Sequence, residues 1–131
     1  MKILSVRISE DLLDGISELG RIFSKRRANI LNDFVRFVFA NFDRDQLKDF
    51  FVQIVKPRTE KEFYAVSVKV APEVEEIFSP IAERANIKIT HMYSNILKYM
   101  YNFSLKNPEF SHKKIVLNAI NEALEKLSKN T

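Results

Sequence analysis

Residues 3–8 read Ile3-Leu4-Ser5-Val6-Arg7-Ile8, and residues 65–70 read Ala65-Val66-Ser67-Val68-Lys69-Val70. In each, apolar side chains alternate with small or cationic ones. That period of two is the mark of a half-buried strand. Neither stretch can stand alone, because a single strand leaves its backbone N–H and C=O groups unpaired.

Helical patterns follow both strands. Ser9 precedes Glu10-Asp11, a hydroxyl N-cap followed by acids in the first turn. Leu12, Ile16, Leu19 and Phe23 then recur at three- and four-residue steps, which predicts a helix over about 10–22, weakened a little by Gly15 and Gly20. After a polar break at Ser24–Arg27, residues Ile30, Leu31, Phe34, Val35, Val38 and Phe39 predict a second helix with a wide apolar face. Leu47, Phe50, Phe51 and Ile54 predict a shorter one over 44–55, and Pro57-Arg58-Thr59-Glu60-Lys61 reads as linker.

Beyond the second strand, Pro72 suits an early helical position, where its missing N–H costs nothing. Val74, Ile77, Phe78, Ile81 and Ala85 form the expected face of that helix, Pro80 threatens a kink, and Asn86 ends it. Met92, Tyr93, Ile96, Leu97, Met100 and Tyr101 predict the next helix, which Asn107-Pro108 closes. Ile115, Ala119, Ile120, Ala123, Leu124 and Leu127 predict a last amphipathic helix over 112–128, with Ser111 as its cap.

The two strand–helix–helix stretches align without a gap at an offset of 62 residues. Ser5 falls on Ser67, Val6 on Val68, Arg7 on Lys69 and Ile8 on Val70. Leu12 falls on Val74, Ile16 on Phe78, Phe34 on Ile96, Arg36 on Lys98 and Phe39 on Tyr101. Chemical class is kept at almost every strand and core position, which points to an internal duplication. The divisions are 1–42, a first unit; 43–62, an extra helix and linker; 63–103, a second unit; and 104–131, a terminal helix.

Composition bounds the chemistry. The chain has 131 residues, room for one domain or two small ones with a core of their own. With no Cys, disulfides and thiolate metal sites are excluded, and two histidines, His91 and His112, are too sparse for a zinc site. Only 2 Gly and 4 Pro favour long helices over a turn-rich β fold. No apolar run approaches the roughly 18 residues of a membrane span. Lys2 and Arg7 put charge too early for a signal peptide, so an intracellular protein is expected. The net charge of +4 permits an acidic partner. Arg21, Lys25, Arg26 and Arg27 cluster with no acid between Leu19 and Asn32.

The duplicated strand–helix–helix order resembles the ribbon-helix-helix family of transcription regulators. Those are normally homodimers of one unit per chain, whereas here both units lie in one chain. In that organisation it is most similar to the tandem regulators of archaeal viruses. The resemblance covers about 3–40 and 65–102. It implies a mainly α fold with a two-stranded antiparallel ribbon, formed by an intramolecular pseudo-dimer with additional helices. It also implies binding to double-stranded DNA, with outward strand residues in the major groove. Carried onto this chain, these are Ile3, Ser5, Arg7, Ala65, Ser67 and Lys69. Arg7 can donate bidentately to guanine, Lys69 does so less selectively, and the serines discriminate weakly.

The family also holds a phosphate at the N-terminus of its second helix, where free N–H groups and the helix dipole favour an anion. The aligned stretches are Ser24-Lys25-Arg26-Arg27-Ala28 and Asn86-Ile87-Lys88-Ile89-Thr90. Both lack the family's Gly, with Asn86 a fair substitute at a left-handed position, and both lack its capping hydroxyl. The phosphate contacts implied are Lys25, Arg26 and Arg27 in the first unit, and Lys88, Thr90 and His91 in the second, with the first gripping harder.

Plainer readings stand beside these. Arg7 and Lys69 taken singly are ordinary solvated strand residues; their matched place in both repeats favours base contact. The basic cluster taken alone is a solvated loop. His91 taken alone is a surface residue at a helix start. The Phe-rich faces are core or interface, with Tyr93, Tyr99 and Tyr101 at core edges. No phosphate loop, nucleophile motif or metal constellation supports catalysis, and no cofactor is implied.

Three functions compete: a DNA-binding regulator that self-associates on a longer operator, an antitoxin-like protein-binding module, and a structural helical assembly. The 41–63 region is long enough for the two units to pair within one chain or to swap between two.

Overall fold

The computed structural model describes residues 2–22, 29–57, 64–107 and 124–127, with side chains outside 19–22. The order is β1 (Lys2–Ile8), α1 (Glu10–Ile22), α2 (Ile30–Asn41), α3 (Arg44–Ile54), β2 (Tyr64–Val70), α4 (Pro72–Ala85) and α5 (Ile89–Lys106). The chain is mainly helical with one two-stranded antiparallel sheet. Each of these elements was anticipated from periodicity, to within three residues at either end. α5 stops at Asn107, where the sequence placed its end. Of the expected terminal helix, 124–127 is helical, with Leu124 and Leu127 exposed. The rest of it, Ser111 included, lies outside the described residues.

The strands pair antiparallel with Ser5 opposite Ser67, Ile3 opposite Lys69 and Arg7 opposite Ala65. Alternation then separates the two faces of the ribbon. Val6, Ile8, Val66, Val68 and Val70 are buried on the inner face. There they meet Leu12 and Ile16 of α1, Ile30, Leu31, Phe34, Val35 and Val38 of α2, and their counterparts on α4 and α5 in one core. α5 packs beneath β1 and α2 beneath β2, so each strand is covered by a helix from the other half.

Local chemistry explains the element ends. The Leu12 N–H donates to Ser9 Oγ over a long 3.4 Å, and the Leu13 N–H donates to the Ser9 carbonyl at 3.0 Å, starting α1. Asp43 and Gln46 form a reciprocal capping box on α3, with N–H···O distances of 2.8 and 3.0 Å. Asn86 is left-handed, with φ 56° and ψ 44°. The Ile87 N–H bonds to the Ala82 carbonyl and the Asn86 N–H to that of Glu83, both at 3.1 Å, which is a Schellman end to α4. Pro80 does not break α4. Pro80 and Glu76 are both exposed, so water can serve the Glu76 carbonyl that the ring leaves without a donor.

Some faces differ from expectation. Ile77 is 39% exposed and Ala85 is exposed, so the buried stripe of α4 is narrower: Val74, Phe78 and Ala82. Phe39 of α2 is 42% exposed. α3 docks on its own chain. Its Phe50 is fully buried and meets Phe34 of α2, Phe78 of α4 and Tyr99 of α5 at ring separations of 6.3, 6.3 and 5.1 Å.

Candidate nucleic-acid interface

The outer face of the ribbon carries Ile3, Ser5 and Arg7 of β1 beside Lys69, Ser67 and Ala65 of β2. The sequence-derived base-contacting set is thereby brought together on one surface. Ile3, Ser5, Arg7, Ala65 and Ser67 are exposed, and Lys69 is half-buried. Ile3 is 64% exposed, a large apolar side chain left in water on a face whose other members are small or cationic. No acid interrupts this set.

Charge pairing separates this face from its surroundings. Lys2, on the opposite parity of β1, makes a 2.8 Å ion pair with Glu75. Arg36 of α2 makes a 2.7 Å ion pair with Glu73 of α4 and lies 3.8 Å from Asp33. The bond from Arg36 holds the Glu73 carboxyl below the usual range, with a backbone N–H helping. Among the described residues, Arg7 and Lys69 enter no ion pair. Among the described residues, then, no ion pair offsets the positive charge of the ribbon's outer face.

Two buried polar side chains brace the ribbon's ends. Asn32 of α2 is 2% exposed, and its Oδ1 accepts from the Ala71 N–H at 2.9 Å, just after β2. Ser94 of α5 is 1% exposed, and its Oγ donates to the Arg7 carbonyl at 2.9 Å. Asn32 and Ser94 are counterparts at the 62-residue offset, and each reaches into the other half. Sequence reasoning missed both. The signal was present: a polar residue at the same place in two apolar stripes, between Leu31 and Phe34 and between Tyr93 and Ile96.

The second helices of both halves, α2 and α5, begin without a side-chain cap, at Asn29 and Lys88. Lys88 is exposed and Thr90 half-buried at the start of α5. Lys25, Arg26 and Arg27 lie outside the described residues.

His91 requires correction. It is 8% exposed, and its Nε2 lies 3.0 Å from the Lys56 carbonyl, a contact that requires the proton on Nε2. Asn95, one turn along, donates from Nδ2 to the Ile54 and Lys56 carbonyls, both at 2.9 Å. The last carbonyls of a helix lack internal donors, and here α5 supplies them to α3. His91 is thus a buried brace between α3 and α5, not a surface group offered to a phosphate. The i,i+4 pair His91–Asn95 beside the apolar Met92–Ile96 stripe was the legible sign.

Among the described residues, no helix is long and apolar enough to cross a membrane, and no group of three His, Cys, Asp or Glu could hold a metal ion. Comparisons of the chain with protein-family models, curated proteins and solved structures find no match.

Proposed function

We propose that this chain is a sequence-specific, double-stranded-DNA-binding regulator of transcription, working inside the cell. In this reading, 2–41 and 64–106 are two ribbon-helix-helix units paired as an intramolecular pseudo-dimer. Reciprocal register supports the pairing. Ile3 lies opposite Lys69, the offset counterpart of Arg7, and Arg7 lies opposite Ala65, the counterpart of Ile3. That reciprocity is what a two-fold contact between like units produces.

The observation that carries the functional reading is the ribbon's outer face: exposed apart from half-buried Lys69, free of acids, and bearing two cations without an ion pair among the described residues. The DNA major groove is about 12 Å wide and admits a two-stranded ribbon. Arg7 then reads guanine O6 and N7, and Ser5 and Ser67 bond to whichever base edge they meet. The uncapped starts of α2 and α5 approach phosphates on either side, with Lys88, Thr90 and the Lys25–Arg27 cluster adding charge and donors.

The test titrates the protein against selected and random duplexes at two salt concentrations, with Arg7→Ala alongside. The selected duplex should bind tightly, and Arg7→Ala should weaken it by about 1–3 kcal/mol while changing random-duplex binding less. A steep salt slope should report the phosphate contacts. Weak, salt-labile binding to every duplex, unaltered by Arg7→Ala, would overturn the proposal. It would favour a protein-interaction module, a reading supported by exposed Phe39, Val52 and Ile77.

A further inference from the structure

The two ends of the ribbon's outer face carry different chemistry. Strand register sets Arg7 beside Ala65 at one end and Lys69 beside Ile3 at the other, with Ser5 and Ser67 between them. Arg7 presents a planar fork that matches the two acceptors of guanine, whereas Lys69 is a point charge with rotatable donors that serves any acceptor. Ala65 is small enough to let a base edge come close beside Arg7. Ile3, 64% exposed, offers a bulky apolar surface suited to a thymine methyl. Support differs as well: Arg7 is exposed and its own carbonyl is held by Ser94 Oγ at 2.9 Å, while Lys69 is half-buried. Arg7 and the Ile3–Lys69 pair lie four residues apart along β1. At ~3.4 Å per residue that is ~14 Å, or about four base-pair steps.

We infer that the ligand is a non-palindromic duplex bound in a single orientation. Arg7 contacts a guanine, and about four base pairs away Ile3 packs on a thymine methyl, with Lys69 adding charge but little discrimination. The inference rests on the DNA-binding reading above. It follows from a duplicated chain whose two copies have diverged at the reading positions. A palindrome would offer the same base edges to an arginine fork and to a lysine, and the lysine end would not exploit them.

The experiment selects duplexes from a random pool with the wild-type protein and with the exchange variant R7K/K69R. The chain has no Cys, so A85C, at an exposed position, carries a single tethered DNA-cleaving iron chelate. The wild-type protein should select a motif with a strongly specified guanine at one end only. The chelate should cut one flank of it at least tenfold more than the other, and R7K/K69R should move the cut to the opposite flank. A palindromic motif, equal cutting of both flanks, or a cut that stays in place after the exchange would overturn the inference while leaving DNA binding intact. Failure to enrich any duplex, with equal and salt-labile binding to all, would instead remove the DNA-binding reading and the inference with it. Thermal melting of each variant checks that exchanging exposed Arg7 and half-buried Lys69 leaves the fold unchanged.

Discussion

At the 62-residue offset, the half built from β1, α1 and α2 and the half built from β2, α4 and α5 can be compared position by position. Both put a polar side chain on the buried face of the second helix, and both send it across to the other half. Asn32 receives the buried Ala71 N–H, whereas Ser94 gives its hydroxyl to the Arg7 carbonyl. α1 carries Gly15, where an added Cβ would collide with the edge of the Tyr101 ring. Its counterpart on α4 is Ile77, and the counterpart of Tyr101 is Phe39; both are part-exposed, at 39% and 42%. In one half the aromatic lies down on a bare helix backbone, while in the other it stays partly in water. Leu31 of α2 is matched by Tyr93 of α5, also fully buried, whose hydroxyl has no hydrogen-bond partner among the described residues. The lesson is that one backbone order can tolerate opposite local solutions, because the ribbon and core pattern are kept while cross-half contacts change in pairs.

The largest effect should come from the cross-half polar contacts. Asn32→Ala leaves the Ala71 N–H buried and unpaired, and Ala71 is 2% exposed, so a loss of about 1–3 kcal/mol is expected in urea unfolding. Ser94→Ala removes one donor from the part-buried Arg7 carbonyl, an acceptor group that tolerates under-satisfaction better than an N–H does, and should cost about 1 kcal/mol or less. Equal losses, or the reverse order, would break the contrast between the two braces.

A double-mutant cycle sharpens the Gly15 contrast. Gly15→Ala should destabilise the wild-type chain by about 1 kcal/mol, because displacing Tyr101 outweighs the gain in helix propensity. In a Tyr101→Ala background the same change should stabilise by about 0.5–1 kcal/mol. Additive effects would show that the ring's seat on Gly15 contributes nothing.

The smallest effect concerns Tyr93. Tyr93→Phe should be neutral or stabilising by up to about 1 kcal/mol, since an unpartnered buried hydroxyl is removed. Burial, with the Glu75 charge adding to it, pushes the Tyr93 hydroxyl up to about 12. Burial does the same to Tyr99, also to about 12, with the Asp49 charge and hydrogen bond adding. A raised phenol pKa means that the folded chain holds its proton after the unfolded chain has released it. That contribution to stability is complete below pH 10.0 and is lost as pH rises toward about 12. Tyr93→Phe should flatten, without abolishing, this alkaline fall in melting temperature. An unchanged alkaline profile would show that Tyr93 is not held neutral by the core.

Much of the fold was legible because its determinants are local. Alternation in 3–8 and 65–70 placed six side chains on one face before any pairing was known. Helix stripes and end signals such as Ser9, Pro72, Asn86 and Asn107 placed the helices, because caps and turns act on neighbours within four or five residues. Face assignments failed where a stripe was wider than the partner covering it, as at Ile77 and Phe39.

By itself, then, the sequence determined the order of elements, the inner and outer faces of each strand and the 62-residue correspondence between the halves. Those follow from the backbone's short periods and from apolar burial. Only the tertiary structure decided that β1 meets β2 with Ser5 on Ser67, that α3 seats Phe50 among rings from α2, α4 and α5, and that His91 turns inward. The physical reason is that a buried carbonyl or N–H must find a partner wherever one exists in space. For the end of α3 that partner stood on α5, 41 residues from Ile54 at Asn95, and for Ala71 it stood on α2, 39 residues away at Asn32.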